Sequence, residues 1–345
     1  MMNTKYIKEQ YHRFKQWQEK PYEYKLISDK VNHCNNCGND FTGNYCPICS
    51  QKAGEGPISW GSVQHSFLDI WGLGSRSLPR TIWHLLLRPG HLICDYIEGK
   101  RQVCFPPVKM LFILTVVYAI FVFWLFPEIL GISVSDFRNE ETSIAYEALG
   151  GYVEWTTNHF SWAMLFTSLL AILPTWILFR YAPRYPKHTL PEGFFIQVLF
   201  SVIIVAVMFL LIPLRLTTIT TYNYLYMAIV AVYYIVGYMQ LFGYNLWSTL
   251  WRSGFVLFFS MFLETAIVIG VFGIDFNTLF DKAVLPQGVH RIHLTEEEAL
   301  LSNRIMVAAC FMVSLMSLAV GAIANIIATN QDRKLAKLMN QANNQ

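Results

Sequence analysis

Four cysteines near the N-terminus stand in two C-x-x-C pairs, Cys34 with Cys37 and Cys46 with Cys49. A C-x-x-C turn brings two sulfurs within reach of one ion, and two such turns on a short hairpin complete a tetrahedral shell of four thiolates. Gly38 suits the first tight turn, and Phe41 and Tyr45 would form the small apolar body of the module. Because four thiolates leave no open position for water, the pattern predicts a structural Zn²⁺ ion.

Two other uses of these cysteines compete with the zinc interpretation. A pair of disulfides is disfavoured if this region lies in the reducing cytosol, and a redox C-x-x-C pair would not need the second, symmetric pair. The remaining cysteines, Cys94, Cys104 and Cys310, have no partner at ligand spacing, so we expect them to be buried apolar residues.

A second group of candidate residues, Arg88, Lys100 and Arg101, lies between the cysteines and the first long apolar run. The segment 77–101 predicts two short helices broken at Pro89-Gly90, each with a narrow apolar stripe and a basic rim, which is typical of helices lying in a membrane interface. The three basic residues could contact a lipid headgroup or phosphate. The alternative is that they are ordinary anchors beside anionic lipid headgroups.

The third candidate is Glu264, which lies in the middle of the apolar run 254–273. An acidic side chain at the centre of a membrane helix is unfavourable by about 3 kcal/mol. Glu264 therefore either bonds to a polar group of a neighbouring helix, such as Gln197 or Asn325, or serves as an intramembrane proton or ion site. Both interpretations remain open.

The composition determines the kind of protein that carries these residues. Of the 345 residues, 54% are hydrophobic and 14% charged, against about 25% charged in soluble domains. These values exclude a disordered chain, a disulfide scaffold and an ordinary soluble enzyme. The net charge of +3 is too small for a dedicated nucleic-acid binder, and only Lys52 adds a basic residue next to the cysteine cluster. We expect no nucleic-acid partner.

Long apolar runs predict an all-α membrane protein. A helix rises 1.5 Å per residue and needs about 20 residues to cross the hydrocarbon layer. Six runs of that length predict six transmembrane helices: 108–130, 160–179, 194–214, 224–243, 254–273 and 305–328. The predicted organisation is an amphipathic N-terminal segment (1–30), the zinc ribbon (31–55), an interfacial amphipathic region (56–107), the six-helix domain (108–330) and a tail (331–345).

The distribution of basic residues predicts the orientation. If the N-terminal region is cytoplasmic, the cytoplasmic segments together with Lys109, at the inner edge of the first span, hold 21 of the 26 Lys and Arg residues. This asymmetry follows the positive-inside rule. Both termini are therefore expected in the cytoplasm.

The order of motifs resembles that of a known family. The ribbon from Cys34 to Gln51 is followed by Arg88-Pro89-Gly90, by Tyr96-Ile97-Glu98-Gly99-Lys100-Arg101 and by Pro106-Pro107. This order resembles an uncharacterised family of bacterial integral membrane proteins, catalogued as a domain of unknown function. Ser50 departs from the pattern, since such ribbons more often have Gly there. The resemblance implies a multi-pass protein of the bacterial cytoplasmic (inner) membrane, but it implies no activity.

Three functional hypotheses follow. The first is a structural or regulatory component that docks a protein partner, or further copies of this chain, at the cytoplasmic face. The second is a transporter or channel for a small ion or lipid that uses Glu264. The third is a membrane enzyme acting on lipid-linked substrates, although the sequence contains no P-loop, G-x-S-x-G or H-E-x-x-H motif.

Overall fold

The computed structural model describes residues 4–20, 31–34, 36–50, 53, 78–100, 104–125, 150–215, 219–274 and 294–343. The chain divides into two compact units, Met1–Arg80 and Thr81–Gln345, and each is described by itself.

The first unit contains one helix and one hairpin. Helix α1 (Thr4–Glu19) is the amphipathic helix expected near the N-terminus, and its apolar residues Ile7 and Tyr11 are exposed. Strands β1 (Val31–His33) and β2 (Asp40–Thr42) pair antiparallel, with Asn32 opposite Phe41.

The second unit is helical among its described residues. Its helices, in chain order, are α2 (Leu78–Leu87, which begins in the first unit), α3 (Pro89–Ile97), α4 (Pro107–Ala119, continued by a π-helical segment, Ile120–Leu125), α5 (Gly150–Asn158), α6 (Phe160–Leu170), α7 (Ile172–Leu178), α8 (Leu190–Arg215), α9 (Ile219–Phe242), α10 (Leu246–Phe272) and α11 (Glu296–Asn343).

Local sequence explains several helix boundaries. Pro174 lacks an amide hydrogen and its ring crowds the carbonyl four residues earlier, at Leu170, which is where α6 ends before α7 begins. Helices α8 and α11 each begin at a capping box. Thr189 N–H donates to Glu192 Oε2 (2.6 Å), and Thr295 N–H donates to Glu298 Oε2 (2.9 Å).

Helix α8 forms the centre of the second unit. It packs against α3, α4, α6, α7 and α9, and two thirds of its apolar stretch is buried (67%). Its buried side chains include Val198, Leu199 and Val202. Helix α10 packs mainly along α11, most of whose surface is exposed.

Among the described residues, five helical stretches are long and apolar enough to cross a membrane: Phe160–Leu178, Leu190–Pro213, Tyr224–Phe242, Leu246–Phe272 and Glu296–Asp332. They coincide with the last five predicted spans. The predicted first span, 108–130, corresponds to a shorter apolar helix, Pro107–Val122, and its end lies outside the described residues. The structure thus supports a helical membrane protein with five candidate spans, and the sixth remains a prediction.

Helices α2 and α3 are the two short helices predicted for 77–101, and the break falls at Arg88 before Pro89-Gly90. Helix α3 packs closely on α9. A Cβ added to Gly90 would lie 2.3 Å from the carbonyl oxygen of Gly237, and the Gly90 amide donates to Gln240 Oε1 (3.1 Å). Glycine is therefore required here because the two backbones touch. A position of α2 and α3 in the membrane interface remains a prediction.

Candidate metal centre and polar sites of the helical unit

The four predicted ligand cysteines lie together at one end of the hairpin. The sulfur atoms of Cys34, Cys37, Cys46 and Cys49 all lie within 4.8 Å of one another. The closest pairs are Cys34 with Cys49 (3.4 Å) and Cys37 with Cys46 (3.5 Å). These distances are too long for disulfide bonds, and all seven cysteines of the chain are free thiols.

The sulfur spacing fits a single tetrahedral ion. Four sulfurs at about 2.3 Å from a zinc ion would lie about 3.8 Å apart, which falls inside the observed range. Backbone amides also point at a sulfur. The N–H of Cys49 lowers the pKa of the Cys46 thiol, burial opposes the shift, and the N–H of Ile48 adds to it. The donor set and geometry therefore suit a thiophilic metal ion.

Two matching turns hold the cysteines. The Gly38 amide donates to the Cys34 carbonyl (2.8 Å), and the Ser50 amide donates to the Cys46 carbonyl (2.9 Å). Both residues have left-handed backbone angles, with φ of 74° at Gly38 and 61° at Ser50. The glycine usual at the second position in such ribbons is explained by this angle, which serine tolerates less well.

The apolar body of the ribbon is smaller than the sequence suggested. Phe41 is buried with Cys34 and Cys46, while Ala53 packs against them. The prediction that Tyr45 joins this core is wrong, because 56% of Tyr45 is exposed. So small a core is consistent with a module that depends on a metal ion for its fold.

The structure brings Arg88 and Lys100 together, but around a carboxylate. Arg88 is fully buried and pairs with Asp95 Oδ2, while Lys100 Nζ lies 2.7 Å from Asp95 Oδ1. The hydrogen bond to Asp95 also raises the pKa of Lys100. The assignment of Arg88 to an exposed basic rim is therefore wrong. Asp95 follows Arg88 by seven residues, two helical turns, and that spacing is the signal that sequence reasoning missed.

The headgroup or phosphate contact of Arg88, Lys100 and Arg101 stays a prediction. Half of the Lys100 side chain is exposed (51%), and Arg101 lies outside the described residues. With Arg88 neutralised inside the fold, Lys100 is the described member of this group that is accessible to a ligand.

Glu264 lies on α10 and its partner comes from α5. The Tyr152 hydroxyl donates to Glu264 Oε1 at 3.0 Å. The partners suggested from the sequence are engaged elsewhere: the Gln197 amide donates to Thr175 (2.9 Å) and to Tyr238 (3.0 Å), and Asn325 contacts α7 and α10. Glu264 thus has a hydrogen-bond partner on a neighbouring helix, and its use as an intramembrane proton or ion site stays a hypothesis.

An unpredicted polar cluster centres on Arg252, which the sequence placed in a loop. Helix α10 begins eight residues before the predicted span, so Arg252 is buried within it. Its Nε donates to the Leu178 carbonyl (3.2 Å) and its Nη2 to Asn325 Oδ1 (3.0 Å), while Asn325 Nδ2 donates to the Ile177 carbonyl (3.2 Å). The two side chains thus satisfy the carbonyls at the end of α7.

A buried histidine precedes α8. His188 is 2% exposed, and neither ring nitrogen has a hydrogen-bond partner within the described part of the chain. Burial lowers the pKa of His188 from its ordinary 6.5 to about 4, with Glu192 opposing the shift and Arg180 adding to it. The imidazole is therefore neutral at physiological pH.

Comparison with known proteins gives one family match. No curated protein and no solved structure matches the chain. The cysteine cluster lies outside the family match, so the match carries no information about the metal. Residues 76–119, which contain the Arg88–Asp95–Lys100 cluster, are similar to a family described as protein of unknown function (DUF3667).

Proposed function

We propose that this multi-pass membrane protein uses its N-terminal ribbon, folded around a structural zinc ion, to dock a partner protein at the cytoplasmic face of the membrane. The observation that carries the proposal is the set of four cysteine sulfurs within 4.8 Å of one another. Since all four ligands are thiolates, the ion has no open position for water and acts by holding a surface in shape.

The ribbon offers an apolar surface for such contact. Tyr45 and Ile48 are 56% and 70% exposed, and they flank or lie within the second cysteine turn. An aromatic and an aliphatic side chain held rigid by a metal-bound turn are suited to act as anchors at a protein interface. The bond between the Ser50 amide and the Cys46 carbonyl supports this turn.

The proposal also includes the side of the membrane on which the ribbon lies. The bias of basic residues favours a cytoplasmic ribbon in a bacterial inner membrane, where thiolates remain reduced. The test is labelling of single cysteines in a cysteine-depleted background with a membrane-impermeant thiol reagent on intact cells. Ala145→Cys should be labelled and Lys187→Cys should not. The reverse pattern would contradict the proposed orientation.

Affinity purification of the full chain in mild detergent tests the docking role. We expect a stoichiometric partner to co-purify with the wild type and with Tyr11→Ala, a control that removes a comparably exposed side chain (68%) from α1. The partner should be lost with Ile48→Asp, whose metal content should remain normal. A partner retained by Ile48→Asp would contradict docking through this surface.

Transport is the competing function, and Glu264 is its best candidate residue. A lone, monodisperse protein that moves solute when reconstituted in liposomes would favour transport over docking. The membrane-enzyme hypothesis would require activity on a lipid-linked substrate in the same reconstituted system.

A further inference from the structure

Helix α1 (Thr4–Glu19) has one apolar face. Its large apolar residues recur mostly every three or four positions, so they share one side of the helix: Tyr6, Ile7, Tyr11, Phe14 and Trp17. At 3.6 residues per turn they fall within an arc of about 140°. The first four are between 40% and 68% exposed, and the ring of the half-buried Trp17 stacks on Phe14, with the ring centroids 5.8 Å apart.

The rest of the described chain leaves four of these side chains uncovered. No other described element packs extensively on α1, and the small core of the ribbon includes no residue of α1. A helix of 16 residues is marginally stable in water when packing does not support it. The apolar face therefore points to a surface that α1 binds.

Basic side chains flank the apolar face. Lys8 and Lys15 are two helical turns apart, so they lie together along one edge of the face, and Arg13 lies along the opposite edge. The ion pair of Arg13 with Glu9 (2.7 Å) is exposed, and such pairs are weak and screened by salt. The helix carries four basic and two acidic residues. Apolar side chains between basic edges complement a surface that is anionic outside and apolar beneath.

The composition of the face favours a membrane over a protein helix as its partner. Three of the five side chains are tyrosine or tryptophan, which prefer the boundary between hydrocarbon and headgroups. Only Ile7 is aliphatic, whereas the seam of a coiled coil is built mainly from aliphatic residues. The same chain also carries five helical stretches that are apolar enough to span a membrane, so a bilayer is within reach of α1 in every molecule.

We propose that α1 lies on the anionic surface of the membrane in which the chain is embedded. Ile7, Phe14 and Trp17 enter the boundary below the headgroups, while Lys8 and Lys15 lie beside the lipid phosphates. Helices of this kind lie in the plane of the interface with their apolar face buried about 5–10 Å. This surface belongs to α1 and not to the ribbon, so the inference does not rest on the proposed docking function.

Hydrogen–deuterium exchange of the full chain tests the proposal. The chain is reconstituted in nanodiscs that hold one copy each, made either of phosphatidylcholine or of an equal mixture of phosphatidylcholine and phosphatidylglycerol. A third sample is kept in an uncharged detergent. Mass spectrometry then measures the protection of the backbone amides of α1 in each sample.

Three variants accompany the wild type: Phe14→Ser, the pair Lys8→Gln with Lys15→Gln, and Gln16→Ser. Gln16→Ser is the matched control, because Gln16 lies on the polar side of α1 and receives the same new side chain. The zinc content of all variants should equal that of the wild type, which separates a failure of this inference from a failure of the ribbon.

We expect stronger protection of α1 in the mixed discs than in phosphatidylcholine or detergent. Each lysine beside anionic lipid favours binding about fivefold, so the double lysine variant should lose about 25-fold in protection in the mixed discs and little in phosphatidylcholine. Phe14→Ser removes a large apolar side chain from the bilayer and should lower protection at least about tenfold in both discs. Gln16→Ser should stay close to the wild type.

Two results would overturn the proposal without depending on any variant. Equal protection of the wild type in both discs and in detergent would mean that α1 packs against another part of its own chain. Unprotected amides in the mixed discs would mean that α1 does not bind the bilayer. Protection that appears only when a disc holds two chains would likewise contradict the proposal, since a second copy would then cover the apolar face.

Discussion

At the scale of single residues, Ser50 holds a backbone conformation that glycine adopts more easily. Its φ of 61° matches that of Gly38 in the first cysteine turn (74°). In this left-handed region of the backbone, a residue with a Cβ is less favourable than glycine by about 1 kcal/mol. We predict that Ser50→Gly increases the affinity for zinc about fivefold, since metal binding is coupled to folding of the module.

Competition with a chromogenic chelator measures this affinity in the full chain. Gly38→Ala is the matched opposite change and should weaken zinc binding by a similar factor, because alanine would be strained at the same angle. An unchanged or weaker affinity in Ser50→Gly would mean that the turn does not limit metal binding.

Glu264 gives a second prediction at this scale. Its carboxyl accepts a hydrogen bond from Tyr152 at 3.0 Å, which a glutamine side chain can also accept. If the carboxyl group is structural, the Glu264→Gln variant should have the melting temperature of the wild type and should retain the wild-type function in cells. Glu264→Ala should lose about 1–3 kcal/mol of stability, because the partly buried Tyr152 hydroxyl is left without its acceptor.

Tyr152→Phe provides the control for this pair. In a double-mutant cycle, the losses from Glu264→Ala and Tyr152→Phe should not add, because both remove the same bond. A Glu264→Gln protein that folds normally but loses function would contradict the structural role and make ionisation, and hence transport, the leading account.

At the scale of elements, Arg252 and Asn325 join α7, α10 and α11. Together they donate to the carbonyls of Ile177 and Leu178 at the end of α7. We predict that Asn325→Leu lowers the free energy of unfolding by about 1–3 kcal/mol, since it leaves Nη2 of a buried guanidinium without its Asn325 acceptor and the Ile177 carbonyl without its donor. Thermal unfolding in detergent measures the loss.

Ile326→Leu is the control for this prediction, because Ile326 neighbours Asn325 but is half exposed (51%). Adding Arg252→Met to Asn325→Leu should restore part of the lost stability, since the buried guanidinium that lacks one acceptor is then removed. A double variant less stable than Asn325→Leu alone would mean that Arg252 stabilises the bundle mainly through its other contacts.

The connection between α7 and α8 carries a pH-dependent element. His188 has a folded-state pKa of about 4, below the 6.5 of an exposed histidine, so the unfolded chain binds more protons between these values. The neutral form of His188 makes its full contribution to the free energy of unfolding above pH 6.5. We predict that the uptake of a proton by His188 on unfolding lowers this free energy by up to about 3 kcal/mol as the pH drops from 6.5 to 4.

Melting temperatures at pH 7 and pH 4.5 test this prediction. His188→Leu cannot be protonated, so it should lose less stability on acidification than the wild type. Both proteins contain the same carboxylates, which therefore cancel in the comparison. An identical loss in the two proteins would show that His188 does not titrate on unfolding.

At the scale of the whole molecule, the features that could be predicted from the sequence are those that depend on the pattern of residues within one contiguous segment. The spacing of the four cysteines was sufficient to place their sulfurs together, and hydropathy located the five candidate spans, because both are properties of contiguous segments. Pro89-Gly90 likewise marked the break between two short helices.

The polar contacts of the helical unit could not be predicted in this way. Arg252 with Asn325 and Glu264 with Tyr152 depend on which helix faces meet. Hydropathy also began the fifth predicted span only after Arg252, because a charged residue lowers the local average hydropathy. The structure shows that a buried charge can lie inside such a helix when neighbouring carbonyls and amides satisfy it.

The central claim is that one zinc ion holds the ribbon in the form that docks a partner. Its most direct test is elemental analysis of the purified full chain, beside a variant with both Cys46→Ser and Cys49→Ser. We predict one zinc ion per wild-type chain and none in the variant, whose N-terminal unit should become protease-sensitive while its helical unit stays in the membrane. Folded wild-type protein that contains no metal would contradict the account.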